Sequence, residues 1–228
     1  MMRKPDVLLL DAGNTLVFLD HEALAEVAHK AGLSVSADAL FRAEPTAKRA
    51  YEQGMLEGLD HEAGWLLHMR VIFEAAGLDA ASAEIASKAS RLAQDEFNLW
   101  RRVPPELPAA LTRARAAGVR LGIISNAEGT LLALLERVDL ARYFEHVIDS
   151  GLEGVRKPEP EIFLRGLARM GVTAERALYA GDIPQVDIDG ARGVGMDAVL
   201  IDALDHYPSY TGAPRFASVS DLITAFGI

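Results

Sequence analysis

The chain contains no cysteine. Disulfides and thiolate metal sites are thereby excluded, and a reducing compartment, the cytoplasm, is the expected location. No stretch approaches the ~18 uninterrupted apolar residues that a membrane-spanning helix needs, so no membrane partner is expected. The opening segment "MMRKPDVLLLDAG" joins basic residues to an apolar run. That run is short for a signal core and Asp11 interrupts it, so it reads as a strand and not as an export signal. Positive charge is scarce as well: 23 Lys and Arg stand against 33 Asp and Glu, a formal net charge of −10. Nucleic acid is therefore not expected as a partner, because phosphate backbones need a basic surface. A small anionic substrate stays compatible, since it needs only a local group of Lys, backbone N–H and a metal ion. No internal repeat or low-complexity tract is present. What remains is a 228-residue chain, half apolar and a quarter charged, enough for one sizeable domain carrying a smaller inserted one.

Four short apolar runs read as buried parallel strands: "DVLLLD" (6–11), "VRLGIIS" (119–125), "ALYAG" (177–181) and "DAVLI" (197–201). Turn residues and helical patterns bound them, as in βαβ units. Helices are expected over 105–118, closed by Gly118, and over 128–140, 160–171 and 184–195. The fold class is α/β, a Rossmann-like open parallel sheet with helices on both faces. Residues 18–102 break this rhythm with four amphipathic helical stretches and no strand-like run. The expected organisation is an α/β core over 1–17 and 103–228 with an all-α cap over 18–102. "RRVPPELP" (101–108) serves as the hinge back.

In an open parallel sheet, ligands sit beyond the carboxyl ends of the strands. Asp11 ends the first strand, Ser125 and Asn126 end the second, and Asp182 follows the third, with Asp187 five residues on. Lys157 lies in the loop "EGVRKPEP". If the strands are parallel, these groups share one rim. A carboxylate there can attack phosphorus and form an aspartyl phosphate. A hard divalent cation such as Mg²⁺, suited to carboxylates, offsets the repulsion between anionic nucleophile and anionic substrate. Ser125, nearby N–H groups and Lys157 can hold phosphoryl oxygens.

With "DAGNT", "SNA", "RKPEPEIF" and "GDIPQVDIDGA" in this order, the chain resembles the haloacid dehalogenase superfamily over nearly its whole length, in the form with a helical cap of the C1 type inserted after the first motif. The resemblance implies a metal-dependent hydrolase of a small phosphorylated metabolite. It implies Asp11 as nucleophile and Ser125, Asn126 and Lys157 as the phosphate-holding set, with Lys157 also restraining Asp11. The implied Mg²⁺ ligands are Asp11, the main-chain carbonyl of Gly13, Asp182 and Asp187, the last directly or through water.

One departure stands out. Phosphatases resembling this chain carry D-x-D in the first motif, and the second Asp is their general acid/base; Gly13 stands there. A carbonyl ligand survives that change and a proton donor does not. General acid–base catalysis contributes ~10²–10⁴-fold, so a modest phosphatase rate is expected. Asp20 and His21 are the nearest substitutes in sequence. The alternatives are a 2-haloacid dehalogenase, whose first motif resembles "DAYGT"; a phosphonate hydrolase using a cap lysine, with Lys30, Lys48 and Lys88 in the cap; or a non-catalytic binding protein. Asn14 and Thr15 read as turn formers, Trp65 and Trp100 as cap packing, and Asp189 and Asp202 as solvent-facing. His61, His68, His146 and His206 lack metal-ligand spacing and read as structural or exposed.

Overall fold

The computed structural model describes residues 2–228, the side chain of His61 excepted, so the reading of His61 lies outside the described residues. In chain order the elements are β1 (Val7–Leu10), β2 (Phe18–Leu19), α1 (His21–Lys30), α2 (Ala37–Leu56), α3 (His61–Ala75), α4 (Ala80–Phe97) and β3 (Trp100–Arg102). There follow α5 (Leu107–Ala116), β4 (Arg120–Ser125), α6 (Leu131–Arg137), β5 (His146–Asp149), α7 (Ser150–Glu153) and α8 (Pro160–Met170). The chain ends with β6 (Ala177–Gly181), α9 (Asp189–Gly193), β7 (Asp197–Ile201), β8 (Arg215–Phe216) and α10 (Val219–Ala225). It divides into two compact units, Met1–Phe18 with Arg101–Ile228, and Leu19–Trp100.

The first unit is an α/β layer structure around a six-stranded sheet of order β5-β4-β1-β6-β7-β8. Every pairing in it is parallel. All four residues of β1 are buried, which accounts for the continuous Leu run: a central parallel strand is covered on both faces and has no reason to alternate. From β1 the order runs through β4 to β5, then returns across β1 to β6 and β7. Right-handed crossovers place α5 and α6 on one face and α8 and α9 on the other. On the second face Val7 and Leu9 pack with Ile124, Phe163, Tyr179, Ile188 and Ala191. The reversal of direction at β1 is the topological switch point, where ligands of such sheets bind.

The sequence pattern missed four strands, among them the short β2 and β3 at the two ends of the stretch expected to be all-α. β5 begins on an exposed His146 and contributes only Ile148 and Asp149 as buried residues, and β8 has two residues. The helix expected over 184–195 instead opens with a π turn, Pro184–Ile188, before α9. Asp202, expected to face water, is buried. It accepts hydrogen bonds from the amides of His206 and Tyr207 and pairs with Arg215 at 2.8 Å, so its charge is spent closing the loop after β7.

The second unit is made of α1–α4. Each helix starts from a residue whose side chain accepts from the third amide beyond it: Asp20 from Ala23, Ser36 from Ala39, Asp60 from Ala63 and Asp79 from Ser82. Such caps contribute about 1 kcal/mol each by satisfying an otherwise orphaned donor. The helices close on Leu24, Leu40, Trp65, Met69, Ile72 and Phe73, with Trp100 packed alongside. His68 is buried among them, and burial pushes its imidazole down to about 4. It is therefore neutral at pH 7. No helix among the described residues is long and apolar enough to cross a membrane.

Candidate active site

The carboxyl ends of β1, β4 and β6 bring the polar residues of the core unit together. Asp11 follows the last residue of β1, and its amide still donates to Ala180 of β6 at 2.8 Å, so the nucleophile candidate is anchored to the sheet and not to a loose loop. Beyond it the chain turns sharply. The amides of Leu16 and Val17 both reach back to the Ala12 carbonyl, and Asn14 sits at φ 53° with its own amide on Val17. Asparagine tolerates this left-handed conformation better than most residues do. Gly13 is not among the residues with positive φ.

Ser125, the last residue of β4, donates to Asp11 Oδ1 at 2.8 Å. Lys157, from the loop between α7 and α8, donates to the same oxygen at 2.6 Å. Both contacts fall on Oδ1, and among the described residues no donor is recorded on Oδ2. The Lys157 ammonium has two further partners, Asp187 Oδ1 at 2.7 Å and the Tyr179 hydroxyl at 2.9 Å. Its three protons are thus matched by three acceptors. Asn126 holds the lysine backbone from both sides, accepting from the Lys157 amide at 2.8 Å and donating to the Lys157 carbonyl at 3.0 Å.

Asp182 directly follows β6. Five residues on, the π turn swings Asp187 back beneath it, and Asp187 Oδ2 accepts from the amides of Asp182 at 3.0 Å and Ile183 at 2.9 Å. Gly181 permits this approach, because a Cβ there would collide with the Asp187 carboxyl group. Asp11, Asp182 and Asp187 are all buried and can present ligand oxygens within 4.8 Å of one another. Every residue named from the sequence as catalytic, phosphate-holding or metal-binding in the first, second, third and fourth motifs therefore lies at the rim formed by β1, β4 and β6 or on the loops just beyond it.

The electrostatics follow from burial. Two buried carboxylates, Asp11 and Asp187, pair with one buried ammonium, and the buried Asp182 lies close to both. Burial works against the charge on Lys157, but Asp11 and Asp187 overcome it and hold the ammonium well above its ordinary range. Burial likewise lifts the Asp11 carboxyl, opposed by Lys157. The group is short of positive charge, and all its acidic donors are hard oxygens, the set that a divalent cation such as Mg²⁺ takes.

Tyr179 escaped the sequence reading. Within "ALYAG" a tyrosine looks like strand core, and it is fully buried. Its hydroxyl, however, donates to the Ile124 carbonyl at 2.9 Å while accepting from Lys157. The only sequence signal was a polar tip inside an otherwise apolar strand. Tyr179→Phe is expected to lower stability by about 1–3 kcal/mol, because it strands a buried carbonyl and an ammonium proton. Chemical denaturation checks this, and an unchanged midpoint would show that the hydroxyl is not holding the lysine.

The two residues nearest in sequence to the missing acid are engaged in the helical unit. Asp20 caps α1. His21 is buried with its Nε2 2.8 Å from a Glu44 carboxylate oxygen. Of the three lysines singled out in the helical unit, Lys30 and Lys88 are exposed and paired with Glu26 and Glu84, whereas Lys48 is buried beside Glu52.

A sequence model described as haloacid dehalogenase-like hydrolase matches residues 5–195. Among curated proteins, the chain is 34% identical over 205 residues to haloacid dehalogenase-like hydrolase domain-containing protein 3 of Bos taurus, covering 86% of this chain and 81% of the relative. It is 32% identical over 221 residues to phosphoserine phosphatase of Thermus thermophilus, covering 86% of this chain and 88% of the relative. Among solved structures, the HAD-hydrolase YfnB of Bacillus subtilis, crystallised with magnesium, superposes over the whole of both chains with a TM-score of 0.68 at 20% identity. That last likeness bears on the fold.

Proposed function

Because this chain belongs to the haloacid dehalogenase-like hydrolases, we propose that it is a divalent-metal-dependent phosphatase of a small phosphorylated metabolite. It works through an aspartyl phosphate on Asp11. The observation that carries this reading is the asymmetry of Asp11: two donors hold Oδ1, which presents Oδ2 as the attacking oxygen. The phosphatase relative supports the reaction class.

Asp11, the Gly13 carbonyl and Asp182 would hold Mg²⁺. Asp187 already accepts donors on both oxygens, so its part is to fix the loop that carries Asp182, and it would meet the ion directly or through water. When bound, the ion supplies positive charge that lets an anionic carboxylate approach an anionic phosphoryl group. The chain's own residues do the rest. Lys157 and Ser125 keep Asp11 aimed and oppose the rise that burial imposes on its carboxyl. The backbone at Asn126 receives the phosphoryl oxygens, since the Asn126 amide side chain is spent on Lys157, and the Ser125 hydroxyl meets one only by giving up its bond to Asp11. Lys157 meets a phosphoryl oxygen only by sharing one of its three bonds. The helical unit takes the role of a cap that selects the leaving group, and the cytoplasm is the proposed compartment.

The test is phosphate release from a panel of phosphomonoesters with and without Mg²⁺. Release that needs the metal is the expected result. Chloride release from 2-haloacids without metal would replace this reading with a dehalogenase. Tight ligand binding with no turnover on either panel would replace it with a binding role.

A further inference from the structure

The segment that follows β4 has little packing to hold it in place. Of residues 126–130, Asn126, Ala127 and Gly129 are half-buried, Glu128 and Thr130 are exposed, and none is buried. Yet the head of this segment carries both contacts that aim Asp11. Ser125 reaches Oδ1 directly. Asn126 grips the backbone of Lys157, whose ammonium reaches the same oxygen. A loop with so few buried contacts keeps a fixed place through its hydrogen bonds. Those bonds come from the neighbouring strand. Ser125 pairs in register with Asp149, the last residue of β5. The Ser150 hydroxyl accepts from the Ala127 amide at 3.1 Å and donates to the Ala127 carbonyl at 3.2 Å, so one oxygen holds the residue after Asn126 by both of its polar groups. The buried Asp149 carboxylate accepts from the amides of Gly129 at 2.9 Å and Leu131 at 3.1 Å, the second bond capping α6 where the Thr130 side chain does not. Gly151 completes the contact by its lack of a side chain. A Cβ there would stand 2.6 Å from the Gly129 nitrogen and 2.9 Å from the Ala127 oxygen, closer than real side chains come.

We propose that Ser150 and Gly151 are positioning residues for the active site: from the end of β5 they fix the 126–129 backbone, and through it the aim of Asp11 and the place of the Asn126 peptide. The inference rests on the phosphatase reading and deepens it. Neither residue touches the reacting atoms. Their influence passes from Ala127 to its chain neighbour Asn126, from Asn126 to the Lys157 backbone, and from the Lys157 ammonium to Asp11. A purely local role for Gly151 leads to the opposite expectation. Gly151 is not among the residues with positive φ, and it lies in α7, where alanine is the better helix former. For the helix itself an alanine is neutral or favourable. Its cost falls on the loop, whose backbone must retreat from the added methyl group. Asp149 also caps α6, so its loss would mix stability with positioning, and the test is placed on its two neighbours.

The experiment compares the wild type with Gly151→Ala, Ser150→Ala and Ser150→Thr on a phosphomonoester that the wild type hydrolyses with Mg²⁺. It measures kcat, KM, competitive inhibition by inorganic phosphate, and the urea midpoint of each protein. Gly151→Ala should lower kcat by ~10²-fold, the scale of a misplacement of about 1 Å at the reacting groups, and should weaken inhibition by phosphate. Ser150→Ala, which removes only the hydroxyl, should lower kcat/KM by ~10-fold. Ser150→Thr keeps the hydroxyl and should restore most of that loss. Circular dichroism shows that each variant is folded, and Ser150→Ala carries the test if Gly151→Ala does not fold. Variants with a changed urea midpoint but wild-type kcat, KM and phosphate inhibition would overturn the inference, reduce both residues to packing, and leave the phosphatase reading standing. A Ser150→Thr protein as impaired as Ser150→Ala would likewise contradict the role given to the hydroxyl. Absence of phosphate release by the wild type from every phosphomonoester would overturn the phosphatase reading and this inference with it.

Discussion

Asp11→Asn is expected to abolish phosphate release, by at least ~10⁴-fold in kcat, while leaving the core folded. The amide has nearly the shape of the carboxylate and can still accept from Ser125 and Lys157 on one oxygen. It cannot attack phosphorus, because the second oxygen has become a poorly nucleophilic NH₂. Lys157 keeps Asp187 and Tyr179 as partners, so the variant does not strand a buried ammonium without a counter-charge, the situation that costs 3–5 kcal/mol when a buried pair is broken. Activity and circular dichroism of the purified variant check both halves. Full activity in a folded Asp11→Asn protein would remove Asp11 from the chemistry.

The second large effect runs in the opposite direction. Gly13→Asp is expected to raise turnover of alcohol phosphates by ~10²–10⁴-fold. The substitution restores an acid two residues from the nucleophile, able to protonate the departing alkoxide and then to take a proton from the attacking water. The backbone does not forbid it: Gly13 lies outside the left-handed region and is only half-buried. Its carbonyl, the proposed metal ligand, is untouched by a change of side chain. Steady-state kinetics on phosphoserine measures the gain. An unchanged or lower rate in a folded variant would mean that the proton is supplied by another group.

Much of this arrangement was legible beforehand, for a physical reason. A parallel sheet forces its central strands to be apolar and its polar exceptions to their carboxyl ends, so Asp11, Ser125 and Asp182 could be read from the point where each apolar run stops. Lys157 was legible only through its place in an ordered set of motifs, since a lysine before a proline has no periodicity to betray it. The remainder depended on geometry that a linear pattern does not encode. Asn126 looked like a phosphate holder, yet its side chain clamps the Lys157 backbone. Asp187 was expected as a metal ligand on a helix over 184–195, whereas a π turn brings it under Asp182. Tyr179 passed as core because its ring is core and only its oxygen belongs to the site. β5 was missed since an edge strand opening on an exposed histidine carries too few buried residues to stand out.

The most direct test of the central claim is to locate the phosphoryl group itself. The chain is incubated with Mg²⁺ and a phosphorylated substrate, quenched in acid within the first turnover, digested and mapped by mass spectrometry. The account predicts an acid-stable, base-labile phosphoryl group on Asp11, absent when Mg²⁺ is chelated and absent in Asp11→Asn. Phosphate release with no phosphorylated peptide at any quench time, or a phosphoryl group on another residue, would contradict it.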